Sequence, residues 1–426
     1  MSMKVLWIVN IEFPEAVSLL DKKSELKSTG GWLLGAAESI TSVDSSLKLT
    51  ICSVSKRVKK LTQLCGKKYN YYLIPYGRGN LFYNSEYERC WKEIKKEIDP
   101  DVVHIHGTEF THGLSYVRSC GNHNVVVSIQ GLKSACSHYY YYGMTLSEIF
   151  RNLTLRDLFK GGILTGKRRF ERSGSFETEL IGSVNHIIGR TSWDRARTWA
   201  INPNAQYHFC NETLRSDFYD NSRWKYDSCR KHSIFVTQAG YPIKGFHMLL
   251  KAMPIILAHY PDAQIRLAGN DITRNQSVSD LFRYSGYGCF INKLIRKYNL
   301  TSHVTFLGNL NAAEMKNEYL NCNVFVSPST IENSPNSIGE AQILGTPVIA
   351  SYVGGVMDMI PSDIYGSLYR FDEIEMLAYK ICTLFGQTSM LTQNACIELA
   401  YKRHDPSENA ANLLSIYEQI IDDNAI

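Results

Sequence analysis

Two glutamates with seven residues between them, Glu332 and Glu340, lie in the stretch Ser327-Pro-Ser-Thr-Ile-Glu-Asn-Ser-Pro-Asn-Ser-Ile-Gly-Glu. The pattern reads as a strand, a polar loop and a helix from about Asn336, followed after Gly345-Thr-Pro by a second strand. Glu332 falls in the loop and Glu340 on the second turn of the helix. The first backbone N–H groups of a helix have no intrahelical acceptor and carry its positive dipole end, a natural seat for phosphate. A carboxylate before that seat and another behind it can bind hydroxyls on either side of a diphosphate, one holding a sugar and the other a ribose. A second candidate is Ile234-Phe-Val-Thr-Gln-Ala-Gly-Tyr-Pro-Ile-Lys-Gly245, where a strand ends in a loop and Lys244 opens a helix.

Further loops carry chemistry-bearing residues. Gly30 and Gly31 follow the first strand and precede a helix, a place where the backbone can approach a phosphate. The run Asp101-Val-Val-His-Ile-His-Gly-Thr-Glu109 brings His106 to a strand end, where it either packs structurally or lines an acceptor cleft; the next strand ends at Gln130. Arg190, Trp193, Asp194, Asn211, Glu212 and Arg215 cluster after later strands, as a hinge, an acceptor side or a structural ion-pair network.

These motifs need elements to hold them. Val5–Ile11, Leu47–Val54, Tyr71–Ile74, Val102–His106, Val125–Ile129, Val184–Ile188 and Gln206–Phe209 read as strands, several almost continuously apolar, as parallel strands covered on both faces are. The polar, aperiodic stretch Asp217–Cys229 reads as a linker or interdomain segment. Strands then resume at Ile234–Thr237, Gln264–Ala268, Val304–Leu307, Val324–Ser327, Val348–Ala350 and Leu368–Phe371. Helical patterns lie between, including Tyr83–Glu97, Phe246–His259, Leu281–Tyr298 and Met376–Leu384, and Ser407–Asp423 is an amphipathic helix that Ser407 can cap. The order βαβα, twice, predicts two Rossmann-like α/β domains, each a doubly wound parallel sheet, at 1–225 and 226–406.

The 426 residues are 44% apolar and 20% charged, which excludes a mostly disordered chain. No apolar run is long enough to span a membrane. The N-terminus does not read as a signal peptide. Eleven cysteines without a CxxC pair exclude a zinc or disulfide framework and fit a reducing cytoplasm. The net charge of +5 divides into +9 over residues 1–225 and −4 over 226–426, so the first half fits an anionic partner. The basic, apolar-rich helical stretch Arg151–Arg172, with Lys56–Lys60, reads as contact with an anionic membrane surface or as an acceptor lid. No nucleic-acid motif is present, and nucleic-acid binding is not expected.

The Glu332–Glu340 segment, with Gly345-Thr-Pro-Val and Gly354-Gly355, resembles the retaining GT-B glycosyltransferases of family GT4 (glycosyl transferases group 1), of the bacterial polysaccharide-biosynthesis type. The resemblance implies the GT-B fold, two Rossmann-like domains facing across a cleft, with a C-terminal helix (407–426) crossing back to the first. It implies a nucleotide-diphosphate sugar donor and a glycan or polyprenyl-diphosphate-linked acceptor. Glu332 would bind the donor sugar's hydroxyls and Glu340 the ribose, while Asn336, Ser337 and Ile338 offer backbone N–H groups and Gly30 and Gly31 line the donor. Lys244 would neutralise the leaving diphosphate. The family's usual arginine beside it is absent; Gln238, Ala239 and Gly240 occupy its region, leaving Gln238 as a neutral donor or Arg190 and Arg215 as cations from the first domain. Gln130 stands where many members have a histidine. No cofactor or essential metal is implied. Other GT-B enzymes, namely glycogen-type synthases, sugar-phosphate synthases and UDP-sugar epimerases, are rivals, as is a silent scaffold that only binds a nucleotide sugar or a partner.

Overall fold

Val5 to Val9 are almost wholly buried, and their side chains divide by parity. Leu6 and Ile8 enter one apolar core, and Val5, Trp7 and Val9 enter another on the opposite face. A strand sandwiched this way must be apolar throughout, which is why its sequence shows no alternation. The computed structural model describes residues 2–21, 31–77, 83–274, 280, 282–387 and 393–423. The chain divides into two compact units, residues 1–135, 169–214 and 404–426 in the first and 136–168 with 215–403 in the second.

The first unit holds β1 (Lys4–Val9), β2 (Lys48–Ser55), β3 (Thr62–Cys65), β4 (Asn70–Pro75), β5 (Val102–His106), β6 (Val125–Ser128), β7 (His186–Gly189) and β8 (Gln206–Phe209). The sheet order is β3-β4-β2-β1-β5-β6-β7-β8, parallel except for antiparallel β3 at one edge. Chain order reverses direction between β1 and β5, the switch point at which such sheets leave a crevice beyond the strands' carboxyl ends. The second unit holds β9 (Ser233–Val236), β10 (Gln264–Leu267), β11 (Val304–Phe306), β12 (Val324–Ser327), β13 (Val348–Ser351) and β14 (Ser367–Tyr369), in the order β11-β10-β9-β12-β13-β14, all parallel. Its switch point lies between β9 and β12. Lys244 follows one of these strands and Glu332 the other.

Four expectations need correction. Residues 136–168, expected in the first domain, belong to the second unit, because Met144, Ile149 and Ile163 are buried in its core with Phe246, Leu250 and Phe290. The stretch 217–229 is no loose linker. Phe218 and Trp224 are buried in the second unit, and the Trp224 indole donates to the Cys322 carbonyl at 2.6 Å. The basic stretch 151–172 is not one helix but parts of three, Leu146–Arg151, Leu155–Lys160 and Ile163–Gly182. The last helix runs Pro406–Asp423, and its cap is Asp405, whose carboxylate accepts the N–H groups of Ser407 and Glu408 at 2.9 Å each. Proline at the first helical position needs no acceptor there, so the cap falls one residue before it.

That last helix belongs to the first unit, where Ala410, Leu413, Ile416, Tyr417 and Ile420 pack against Val5, Trp7 and Ala37. The Tyr417 hydroxyl accepts the Trp7 indole N–H at 2.9 Å and lies 2.6 Å from His104 Nδ1.

Candidate functional site

Lys244 closes the turn Pro242–Lys244, and Gly245 then starts the helix Phe246–His259. Gly245 sits at φ +67, and a Cβ there would lie 1.7 Å from the Pro328 carbonyl oxygen. The loop after β9 can therefore press against the loop after β12 only with glycine at this position. The Thr330 N–H donates to the Ile243 carbonyl across the same contact at 2.8 Å. The Lys244 ammonium accordingly meets Glu332 Oε1 at 2.6 Å, and the Ser329 hydroxyl donates to the same oxygen at 2.8 Å. Both charged side chains stay partly open, at 20% and 16% exposure. Burial works against the ammonium charge, but the Glu332 carboxylate beside it more than compensates, so the Lys244 pKa is raised and the group stays charged.

Behind this pair, the helix Asn336–Ile343 begins after Pro335, whose own side chain makes no capping bond. Ile338 donates its N–H to the Pro335 carbonyl at 3.0 Å, and its side chain is buried. Glu340 points into the second unit's interior. Arg215 donates to its Oε1 from Nε at 2.8 Å, and the Tyr319 hydroxyl stands 3.4 Å from Oε2. Burial raises the pKa of Glu340, opposed by the Arg215 charge. Arg215, expected as a cation of the first domain, thus belongs to the second unit and is held by Glu340. Gln238 is exposed on the loop after β9, and no hydrogen bond joins it to the Lys244–Glu332 pair.

In the first unit, Gly31 begins the helix Gly31–Val43, and Gly30 lies outside the described residues. His106 is 4% exposed, stacked on His104 at 3.7 Å and set against Trp7 at 4.4 Å. Burial, reinforced by neighbouring His104, holds its pKa well below the ordinary histidine value, so it is neutral. With Ser128, Arg190, Glu212 and Leu413 it lines a cavity of about 50 Å³. Gln130 Nε2 donates to Glu212 Oε1 at 2.5 Å, and Arg190 pairs with Glu212 Oε2 at 2.5 Å and donates to the Ile129 and Gln130 carbonyls. Arg190 is therefore an internal brace of the first unit.

Two carboxylates stand out in the first unit: Glu177, absent from the sequence reading, and Glu109, which that reading brings to a strand end without a role. Buried Glu177 accepts from the N–H groups of Lys133 and Ser134 and from the Thr108 hydroxyl, all at 3.0 Å, which ties the loops after β5 and β6 together. Glu109, at the end of β5, is raised to about 7 by burial and lies 3.3 Å from Asn10 Nδ2. A lone glutamate after a strand carries no spacing signal; only the fold gathers it beside Asn10 and Lys133, whose ammonium donates to the Glu109 carbonyl at 2.5 Å.

A lysine and a glutamate at a parallel-sheet switch point, beside the start of a helix, form the candidate site. Residues 220–403 match the family model of the Glycosyl transferases group 1. An uncharacterized glycosyltransferase of Methanocaldococcus jannaschii, MJ1607, is 31% identical over 191 residues, 44% of this chain and 45% of its own. The chain spans about half the length of the curated relatives it matches. Among solved structures, sucrose-phosphate synthase from Thermosynechococcus elongatus superposes with a TM-score of 0.71 at 17% identity, covering 98% of this chain and 99% of that one. The Anabaena protein HepE in complex with UDP-glucose gives 0.63 at 14% identity, covering 97% and 99%. The fold is that of the GT-B glycosyltransferases, two parallel-sheet α/β units.

Proposed function

We infer that this chain transfers a sugar, with retention of configuration, from a nucleotide-diphosphate sugar to a glycan or lipid-linked glycan acceptor at the inner face of the membrane, in surface polysaccharide biosynthesis. The observation that carries the reading is the Lys244–Glu332 contact at the second unit's switch point. In a Michaelis complex Glu332 exchanges its ammonium partner for hydroxyls of the donor sugar. Lys244 then turns its charge to the diphosphate, with the first N–H groups of the helix Asn336–Ile343. Charge that develops on the leaving diphosphate meets groups already in place, so no solvent must reorganise. The departing oxygen takes the acceptor's proton on the same face, which retains configuration without an enzymic nucleophile. Glu340 takes the ribose hydroxyls beside Arg215, and this chemistry asks for no metal. A nucleotide-sugar donor is supported by the UDP-glucose held by HepE, a protein of the same fold.

Thermal shift against UDP-, GDP-, ADP- and CMP-sugars tests the reading. A ligand at about 100 times its Kd adds about 2.7 kcal/mol, a visible rise in melting temperature. One base is expected to give it, and Glu332→Gln is expected to keep the melting temperature while losing about 100-fold or more in turnover. No shift with any nucleotide, or near-normal turnover in Glu332→Gln, overturns it.

A further inference from the structure

The helix Leu155–Lys160 is folded inside out. Its acidic residue, Asp157, is buried, while Leu155, Leu158 and Phe159 stand in solvent at 56%, 71% and 79% exposure. Its inward side is satisfied by polar contacts. Asp157 accepts the Gly286 N–H at 2.7 Å, and the Thr154 hydroxyl donates to the Tyr284 carbonyl at 2.8 Å. The preceding helix, Leu146–Arg151, buries Ile149 in the second unit's core and turns Leu146 and Phe150 outward. Leu153 between them and Phe282 alongside are about half exposed, and Lys160 reaches the Phe282 carbonyl at 3.4 Å. The core has therefore taken what it needs from this segment, and the remaining large apolar side chains lie together outside it.

We propose that this surface, Leu146 to Lys160 with Phe282, inserts into an anionic lipid bilayer. The inference rests on the membrane-side role proposed above and assigns that role to a surface of the second unit. Charge decides the occupant. Of the exposed residues from 146 to 160, six are apolar, Arg151 and Lys160 are cations, Ser147 is neutral and none is acidic. Both carboxylates of the stretch are turned into capping boxes, Glu148 with Thr145 and Asp157 with Thr154. Lys293, at 3.1 Å from the Arg151 carbonyl, adds a third cation to the rim. Apolar side chains ringed by cations match acyl chains beneath anionic head groups. A second copy of the same face would set Arg151 and Lys160 against their own like charges in a two-fold contact. Rigid capping and the buried anchors Ile149 and Ile163 pre-order the segment, so insertion costs little ordering entropy.

The test is flotation of the full chain with vesicles of phosphatidylcholine and phosphatidylglycerol in equal parts, and of phosphatidylcholine alone. The chain is expected to float with the anionic vesicles and poorly with the neutral ones. The double variant Leu158→Ser, Phe159→Ser is expected to lower anionic partition at least about tenfold. Both side chains are mostly exposed, so its melting temperature and its melting shift with nucleotide sugar should match those of the parent. Equal flotation of parent and variant, or none by the parent, overturns the proposal. So does a variant that floats normally but turns a dimer into a monomer in light scattering, which makes the patch a self-contact. Flotation lost in the variant while no nucleotide shifts the parent's melting leaves the surface standing and removes the transferase reading.

Discussion

Glu340 sits in the interior of the second unit because Arg215 and Tyr319 are there to receive it. Breaking a buried ion pair from one side leaves an uncompensated charge, which costs more than the pair contributes. Arg215→Ala is therefore expected to destabilise the second unit by about 3 kcal/mol in urea unfolding. The double variant Arg215→Ala, Glu340→Gln should recover most of that loss, since no charge is then stranded. If the double variant is as unstable as the single one, the guanidinium acts through packing alone. The same residues mark the reach of a sequence. Glu332, Glu340 and Lys244 are legible because each stands at a fixed place in a strand–loop–helix pattern. Arg215 lies 125 residues from Glu340, and a sequence without contacts gave no reason to join them; it was assigned to the wrong unit. Glu177 escaped for the same reason.

At the scale of elements, the loop bearing Glu332 is fixed by its neighbour. The Gly355 N–H donates to the Glu332 carbonyl at 3.1 Å. Gly354, at φ +53, passes so close that a Cβ would lie 1.9 Å from that same oxygen. Alanine is strained at this φ and collides with backbone that cannot swing aside. Gly354→Ala is expected to cost about 2–3 kcal/mol and to depress turnover together with stability. Gly240→Ala, with nothing within 4 Å of its Cβ, is the control and should stay within about 0.5 kcal/mol of the parent in the same assay. Equal melting temperatures for the two variants would show that the loop yields. Most strands were legible because parallel strands buried on both faces must be apolar. Thr62–Cys65 was not, since a four-residue edge strand with alternating exposure offers too short a period. The run 151–172 misled because its apolar and basic residues have helical spacing, while Thr154 and Gly161-Gly162 start new elements inside it.

The whole molecule carries a pH dependence set by where it buries histidine. His104, His112 and His208 of the first unit are lowered by burial to about 3, 4 and 4, and His247 of the second to about 4. Each remains neutral when folded but binds a proton below about pH 6.5 when unfolded. The unfolded chain then holds more protons, so stability is fully present above about pH 6.5 and is lost as the pH falls toward 4. At pH 5 each of these groups accounts for a loss of order 1–2 kcal/mol. Glu109 has the opposite sign. Its folded pKa, raised to about 7, makes stability fall as pH rises from the ordinary carboxylate range through 7. Glu177, also raised by burial, acts with it, so two carboxylates oppose the three named histidines of the first unit, while His106 and His186, both lowered by burial, add to the histidine side. In the second unit His247 is opposed by Glu340, whose pKa is also raised. The first unit should therefore open first on acidification. Its last helix should open with it, because Tyr417 joins Trp7 of β1 to His104 of β5. Hydrogen exchange at pH 7 and pH 5 reads this directly. Amides of β1, β5 and the helix Pro406–Asp423 are expected to lose protection together, and more than those of β9 and β12. Equal loss in the two units, or early release of the last helix alone, would show that the buried imidazoles do not set the acid limit.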